Sequence, residues 1–194
     1  MLYCLECIRY SGLIELEGFP TLAIFGPDGK LVTEAGVRSV VSDPDGLRFP
    51  WAPPLVKDLN EDDVVGFLNS SVCVCVMAEG ASAEFHEQIG AALTPMAAEA
   101  AKADENGLAP HRVYMICKQA GPVSDQINRN LHRSPIADSA RDVADVVYLD
   151  LSNCRYAIQQ APASVTAAGI TKFVAGVADG SIESIAVKAD HGGG

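Results

Sequence analysis

Cysteine is the residue type in this chain best suited to chemistry, and Cys4-Leu5-Glu6-Cys7 has the spacing of a dithiol. A thiolate is the nucleophile in thiol–disulfide exchange, and a cysteine pair spaced in this way is the usual seat of that reaction. The position is less favourable than the spacing. Two cysteines in a fraying terminal segment would give the same pattern, so Cys4 and Cys7 are weak redox candidates. Zinc would require four ligands, and no second close pair with histidine accompanies these two. Cys73 and Cys75 lie in an apolar run and share one face of a strand, which suits buried packing. Cys117 closes a strand. Cys154 falls in a turn and is the thiol expected to be exposed, with Arg155 as its single suggestive neighbour. His86, His111, His132 and His191 show no ligand spacing and read as solvated side chains. No glycine-rich phosphate loop, serine nucleophile elbow or paired-carboxylate pattern appears, so the sequence calls for no cofactor and no metal.

The background against which these residues act is acidic and globular. Hydrophobic residues make up 48% of the 194 and charged residues 20%, which is enough apolar material for a true core. A formal net charge of −11 opposes a phosphate backbone, so nucleic acid is not an expected partner. Six irregularly spaced cysteines are too few for a disulfide scaffold and suggest a reducing compartment. The first residues lack a basic region followed by a long apolar run, and no stretch reaches the length of a membrane helix. These features together predict a cytoplasmic or nuclear protein that does not enter a membrane.

The elements that would position the cysteines can be read along the chain. Residues 21–25 and 30–33 read as strands around the turn Gly26-Pro27-Asp28-Gly29. Residues 37–42 make a helical turn or two, broken at Asp43-Pro44-Asp45-Gly46. Three prolines within Pro50-Trp51-Ala52-Pro53-Pro54 favour an extended connector, which sets a domain boundary. Asn60 is a plausible N-cap for a helix over residues 61–68. Residues 72–78 are apolar at every position, the signature of a strand covered on both faces. Helical spacing follows over 82–103, possible disturbance being confined to Pro95. A strand over 112–117, a helix over 123–131, a loop over 134–142, two strands over 145–149 and 155–159, and a helix over 166–178 complete the order. The glycine tail after Lys188 is expected to be disordered. Alternating β and α elements feeding a hairpin and a last helix predict an α/β fold with a mixed central sheet and helices on both faces.

Gly18-Phe19-Pro20-Thr21-Leu22, then Pro27-Asp28-Gly29-Lys30 and Phe49-Pro50-Trp51-Ala52-Pro53, resemble the nucleoredoxins, members of the thioredoxin-like family. The resemblance runs over about residues 17–185. It implies a thioredoxin-like fold and membership of a protein-disulfide reductase family. It also implies that Pro20, with Phe19 and Thr21, shapes a substrate groove where a client protein or peptide pairs through its backbone. On this resemblance residues 1–52 are the C-terminal remnant of one thioredoxin-like module, 53–58 a proline-rich linker, 59–188 a complete second domain and 189–194 a tail. Catalytic modules of the family carry Cys-x-x-Cys at the N-terminus of the first long helix, well upstream of the proline. Only 19 residues precede Pro20 here, too few for the missing strands and helix. In the second domain Glu79-Gly80-Ala81-Ser82 stands where the motif would be, and Asp145 stands where the cis-proline would be. The expectation is therefore a chain that is redox-inactive by itself, either as part of a disulfide reductase or as a non-catalytic protein-binding module. The strand edge left open in the first module would favour self-association.

Overall fold

A computed structural model describes residues 22–61, 64–105, 112–134, 142–160 and 165–186. The chain forms two units, divided between Pro54 and Leu55.

In the first unit, β1 (Ile24–Phe25) and β2 (Leu31–Thr33) pair antiparallel, and α1 (Gly36–Ser42) follows. The turn between the strands closes through Gly29 N–H donating to the Gly26 carbonyl at 2.9 Å. Gly29 has φ +77°, a conformation that a side chain would strain. Gly36 begins α1 where its N–H meets the Leu22 carbonyl at 2.9 Å, and a Cβ there would lie 2.4 Å from that oxygen.

The Phe-Pro-Trp segment differs from the extended connector expected of it. Trp51 N–H donates to the Arg48 carbonyl at 2.9 Å, Trp51 has φ 55°, and the Phe49–Pro50 peptide is cis. Asp43 organises this turn. Its carboxylate accepts from the Arg48 N–H at 2.8 Å, the Leu47 N–H at 3.2 Å and the Trp51 indole N–H at 2.9 Å. Proline composition reports backbone stiffness, but a single well-placed acceptor decided which way the chain turned.

The second unit is built on a six-stranded sheet. Its strands are β3 (Val56–Asp58), β4 (Val72–Met77), β5 (Arg112–Cys117), β6 (Asp145–Asp150), β7 (Arg155–Gln159) and β8 (Ile185–Ala186). The order across the sheet is β3-β5-β4-β6-β7-β8. The first three run parallel, and β6, β7 and β8 add antiparallel. The helices are α2 (Val64–Ser70), α3 (Ala83–Glu105), α4 (Pro122–Asn130) and α5 (Ala167–Ala178). This is a thioredoxin-like arrangement. Two of its strands were not foreseen. Val56–Asp58, expected in the linker, is the edge strand β3, because three backbone pairings with β5 outweigh the flanking prolines. The two-residue β8 is too short to leave a sequence signal.

Side-chain alternation along β4 explains the two-sided core. Val72, Val74, Val76 and Ala78 pack with Ile89 and Leu93 of α3 and Ile170, Phe173 and Val177 of α5. Cys73, Cys75 and Met77 point the other way, toward Val64 and Leu68 of α2 and Ile127 of α4. Each such buried aliphatic side chain contributes about 1.5–3 kcal/mol, so β4 is the strand the unit can least spare. Pro95 lies inside α3, which continues through it to Glu105. Asn60 does not cap a helix. Its amide N–H donates to the Gln119 carbonyl at 2.8 Å, while its Oδ1 has no partner.

Candidate functional site

The parallel strands β4 and β5 end side by side, and β6 begins next to them, with Met77 opposite both Cys117 and Asp145. Open α/β sheets bind ligands outside the carboxyl ends of such strands. The loop Glu79-Gly80-Ala81-Ser82 leaves β4 here and leads into α3, so this end of the sheet is where a thioredoxin-like module would carry its dithiol.

The site holds an ionic network instead. Arg133, at 2% side-chain exposure, lies between Glu79 at 5% and Asp145 at 9%. Its Nε donates to Asp145 Oδ2 at 2.6 Å, its Nη1 to Glu79 Oε1 at 3.0 Å, and its Nη2 to Glu79 Oε2 at 3.2 Å. Nη1 also donates to Asn128 Oδ1 at 2.6 Å, and Asn128 Nδ2 donates to Glu79 Oε1 at 3.3 Å. Burial disfavours the charged guanidinium, but hydrogen bonds and charge from Glu79 and Asp145 outweigh it and hold Arg133 above its usual range. Removing these charges from water is costly and is offset only because nearly every donor finds an acceptor. The network joins the ends of β4, α4 and β6, so it fixes the loops that would surround an active centre without supplying a nucleophile.

The helix terminus is also occupied by non-reactive groups. Ser82 Oγ accepts from the Phe85 N–H at 3.2 Å, which makes Ser82 a cap for α3. The Ser82 N–H donates to Asp142 Oδ1 at 3.0 Å, and this bond leads the influences that lower the Asp142 carboxyl. His86, expected in solvent, is half-buried with Nε2 2.9 Å from the Ala78 carbonyl. His132 is exposed, as expected.

The nearest thiol is Cys117, whose Sγ lies 3.2 Å from the Gln119 carbonyl. Burial, reinforced by the Glu79 charge, pushes this thiol up to about 12. Burial does the same to Cys73, also to about 12, and raises Cys75 well above its ordinary value. Cys73 and Cys75 face the interior as the apolar run predicted, and Cys117 is buried with them. A catalytic thiolate needs the opposite environment, electropositive and open to substrate. Cys154 is exposed, with φ 50° at the turn before β7. Arg155 does not activate it, because the guanidinium Nε is tied to Asp150 Oδ2 at 2.9 Å.

The sequence-based candidates Cys4, Cys7, Phe19, Pro20 and Thr21 lie outside the described residues, as do His111 and His191. Among the described residues no cluster of histidine, cysteine and carboxylate could hold a metal, and no helix is long and apolar enough to cross a membrane. Sequence reasoning noticed Glu79 and Asp145 as occupants of the motif and proline positions. It missed Arg133, which stands in a polar stretch that looks like surface. The available signal was a carboxylate at the end of each of two buried strands, which calls for a buried cation.

Over 71 residues, 37% of its length, the chain is 32% identical to nucleoredoxin of Mus musculus and 32% identical to nucleoredoxin of Bos taurus. Over the same length it is 31% identical to nucleoredoxin of Homo sapiens. The chain spans about 16% of the length of each of these relatives. No protein-family profile matches it. Over those 71 residues the chain is similar to the nucleoredoxins.

Proposed function

We propose that this chain is the C-terminal part of a nucleoredoxin-like thiol–disulfide oxidoreductase of the protein-disulfide reductase type, and that it is redox-inactive by itself. One observation carries the second half of this reading. At the end of β4, where the reactive dithiol would sit, the chain places Glu79, bonded to Arg133, and a serine cap. Disulfide reduction needs a thiolate to attack one sulfur of the substrate and a second thiol to release it, the two electrons ending in the substrate thiols. The buried Cys73, Cys75 and Cys117 are protonated at neutral pH and do not meet that need. The chain's role would then be to hold a client protein or peptide beside a dithiol supplied by the rest of the molecule, in the cytoplasm or nucleus where thiols stay reduced. Pro20, with Phe19 and Thr21, is the proposed groove.

A non-catalytic module that recruits clients is the second reading. It is favoured by the network around Arg133, which makes the loops at this end of the sheet a fixed surface. A transcript that encodes Trp-Cys-x-x-Cys upstream of Met1 would support the first reading, and its absence the second. Insulin reduction with dithiothreitol as electron donor tests inactivity directly. The expected rate is that of dithiothreitol alone. Turnover near that of a thioredoxin, lost in Cys4→Ser or Cys7→Ser, would overturn the proposal.

A further inference from the structure

The opposite end of the sheet carries a different kind of site. Arg112 and Val72 begin β5 and β4 there, away from Cys117 and Met77. Between α3 and α5 lies a groove of about 580 Å³. Its walls are mainly apolar, from Pro95 and Met96 on α3 and from Val174, Ala175 and Ala178 on α5. Two of its polar groups are already engaged. The Thr171 hydroxyl donates to the Ala167 carbonyl at 2.8 Å, and the exposed Glu99 accepts from Lys102 Nζ at 2.8 Å. Arg112 is different. Its Nε is buried and has no hydrogen-bond partner. A guanidinium N–H withdrawn from water without an acceptor is costly, and an apolar cleft with one unanswered cation is complementary to an apolar molecule with one anion.

We propose that this groove binds a small amphiphilic carboxylic acid, with its apolar body between α3 and α5 and its carboxylate on Arg112. The volume falls in the range of small-molecule pockets. A carboxylate matches the charge and planar geometry of the half-buried guanidinium fork. Glu99 at the rim limits the site to a single negative charge. The chain's net charge of −11 likewise opposes a polyanionic ligand. This site is independent of the redox reading, because it lies at the other end of the sheet and uses none of the same residues.

Calorimetric titration of the full chain with decanoate, below micelle-forming concentrations, tests the proposal, with 1-decanol as the uncharged comparison. One decanoate per chain is expected, bound at least about tenfold more tightly than decanol, the worth of one hydrogen bond to a charged group. Arg112→Gln should remove that preference. Ala175→Phe, which adds a ring at an exposed helix position facing the groove, should abolish binding of both ligands. Chemical-shift mapping on the unmodified protein should place decanoate at Met96, Tyr114 and Ala175, which keeps the test decisive even if a variant fails to fold. Absence of decanoate binding, equal affinity for decanoate and decanol, retention of the preference in Arg112→Gln, or shifts confined to another surface would each overturn it.

Discussion

Arg133→Met isolates the energetics of the buried network. The substitution keeps much of the side chain's bulk but removes the charge and all four hydrogen bonds that the guanidinium donates to Asp145, Glu79 and Asn128. Glu79 and Asp145 would then stand as two carboxylates in a site that is at most 9% exposed, without the cation between them. Breaking a buried pair in this way costs about 3–5 kcal/mol, a large share of the about 5–15 kcal/mol that holds a domain folded. With an unfolding entropy near 2.1 cal/mol/K per residue over roughly 140 residues, that loss lowers Tm by about 10–17 °C. Removing the whole network should behave differently. Glu79→Leu, Asn128→Leu, Arg133→Met and Asp145→Leu together leave neither an orphan charge nor an orphan amide, so the quadruple variant should lie within about 1–2 kcal/mol of the parent. Urea unfolding followed by far-UV circular dichroism measures both. The reasoning fails if Arg133→Met costs less than about 1 kcal/mol, or if the quadruple variant is as unstable as the single one.

In a Cys4→Ser, Cys7→Ser background, only Cys154 should react rapidly with a thiol reagent at pH 8. The Cys73 and Cys117 thiols, held near 12 by burial, are ionised to roughly one part in ten thousand there, and rapid labelling of either would contradict their placement. The same shift makes the fold sensitive to alkali. A thiol whose folded value lies above its ordinary 9.0 contributes stability that is intact below pH 9 and lost as pH rises toward 12, so Cys73→Val should raise the alkaline unfolding midpoint. Trp51 is the single tryptophan and reports on Asp43. The Arg48 N–H first, then the Trp51 indole, hold the Asp43 carboxyl below its ordinary 3.8, so the indole bond is present above that pH and is lost as pH falls through the lowered value. Indole emission should be flat above pH 4 and change below it, and Asp43→Ala should show the altered emission at neutral pH.

Much of this protein was legible from local patterns. The all-apolar run of β4 required cover on both sides, and α2, α3, α4 and α5 supply it. The periodicity of α3 and α5 and the alternation in β5 are properties of neighbouring residues, so sequence alone determined those elements. The missing dithiol after β4 was equally readable, because a motif is present or absent in one dimension. What tertiary structure alone decided were pairings across long separations. β3 became a strand because β5, more than fifty residues away, offered it an edge, and residues 47–51 turned because Asp43 held the Leu47 and Arg48 N–H groups and the Trp51 indole. Arg133 is buried because folding brought Glu79, 54 residues distant, and Asp145, 12 residues distant, around it. Hydropathy assigns a lone arginine to solvent. Only the three-dimensional placement of two carboxylates at adjacent strand ends makes its desolvation affordable.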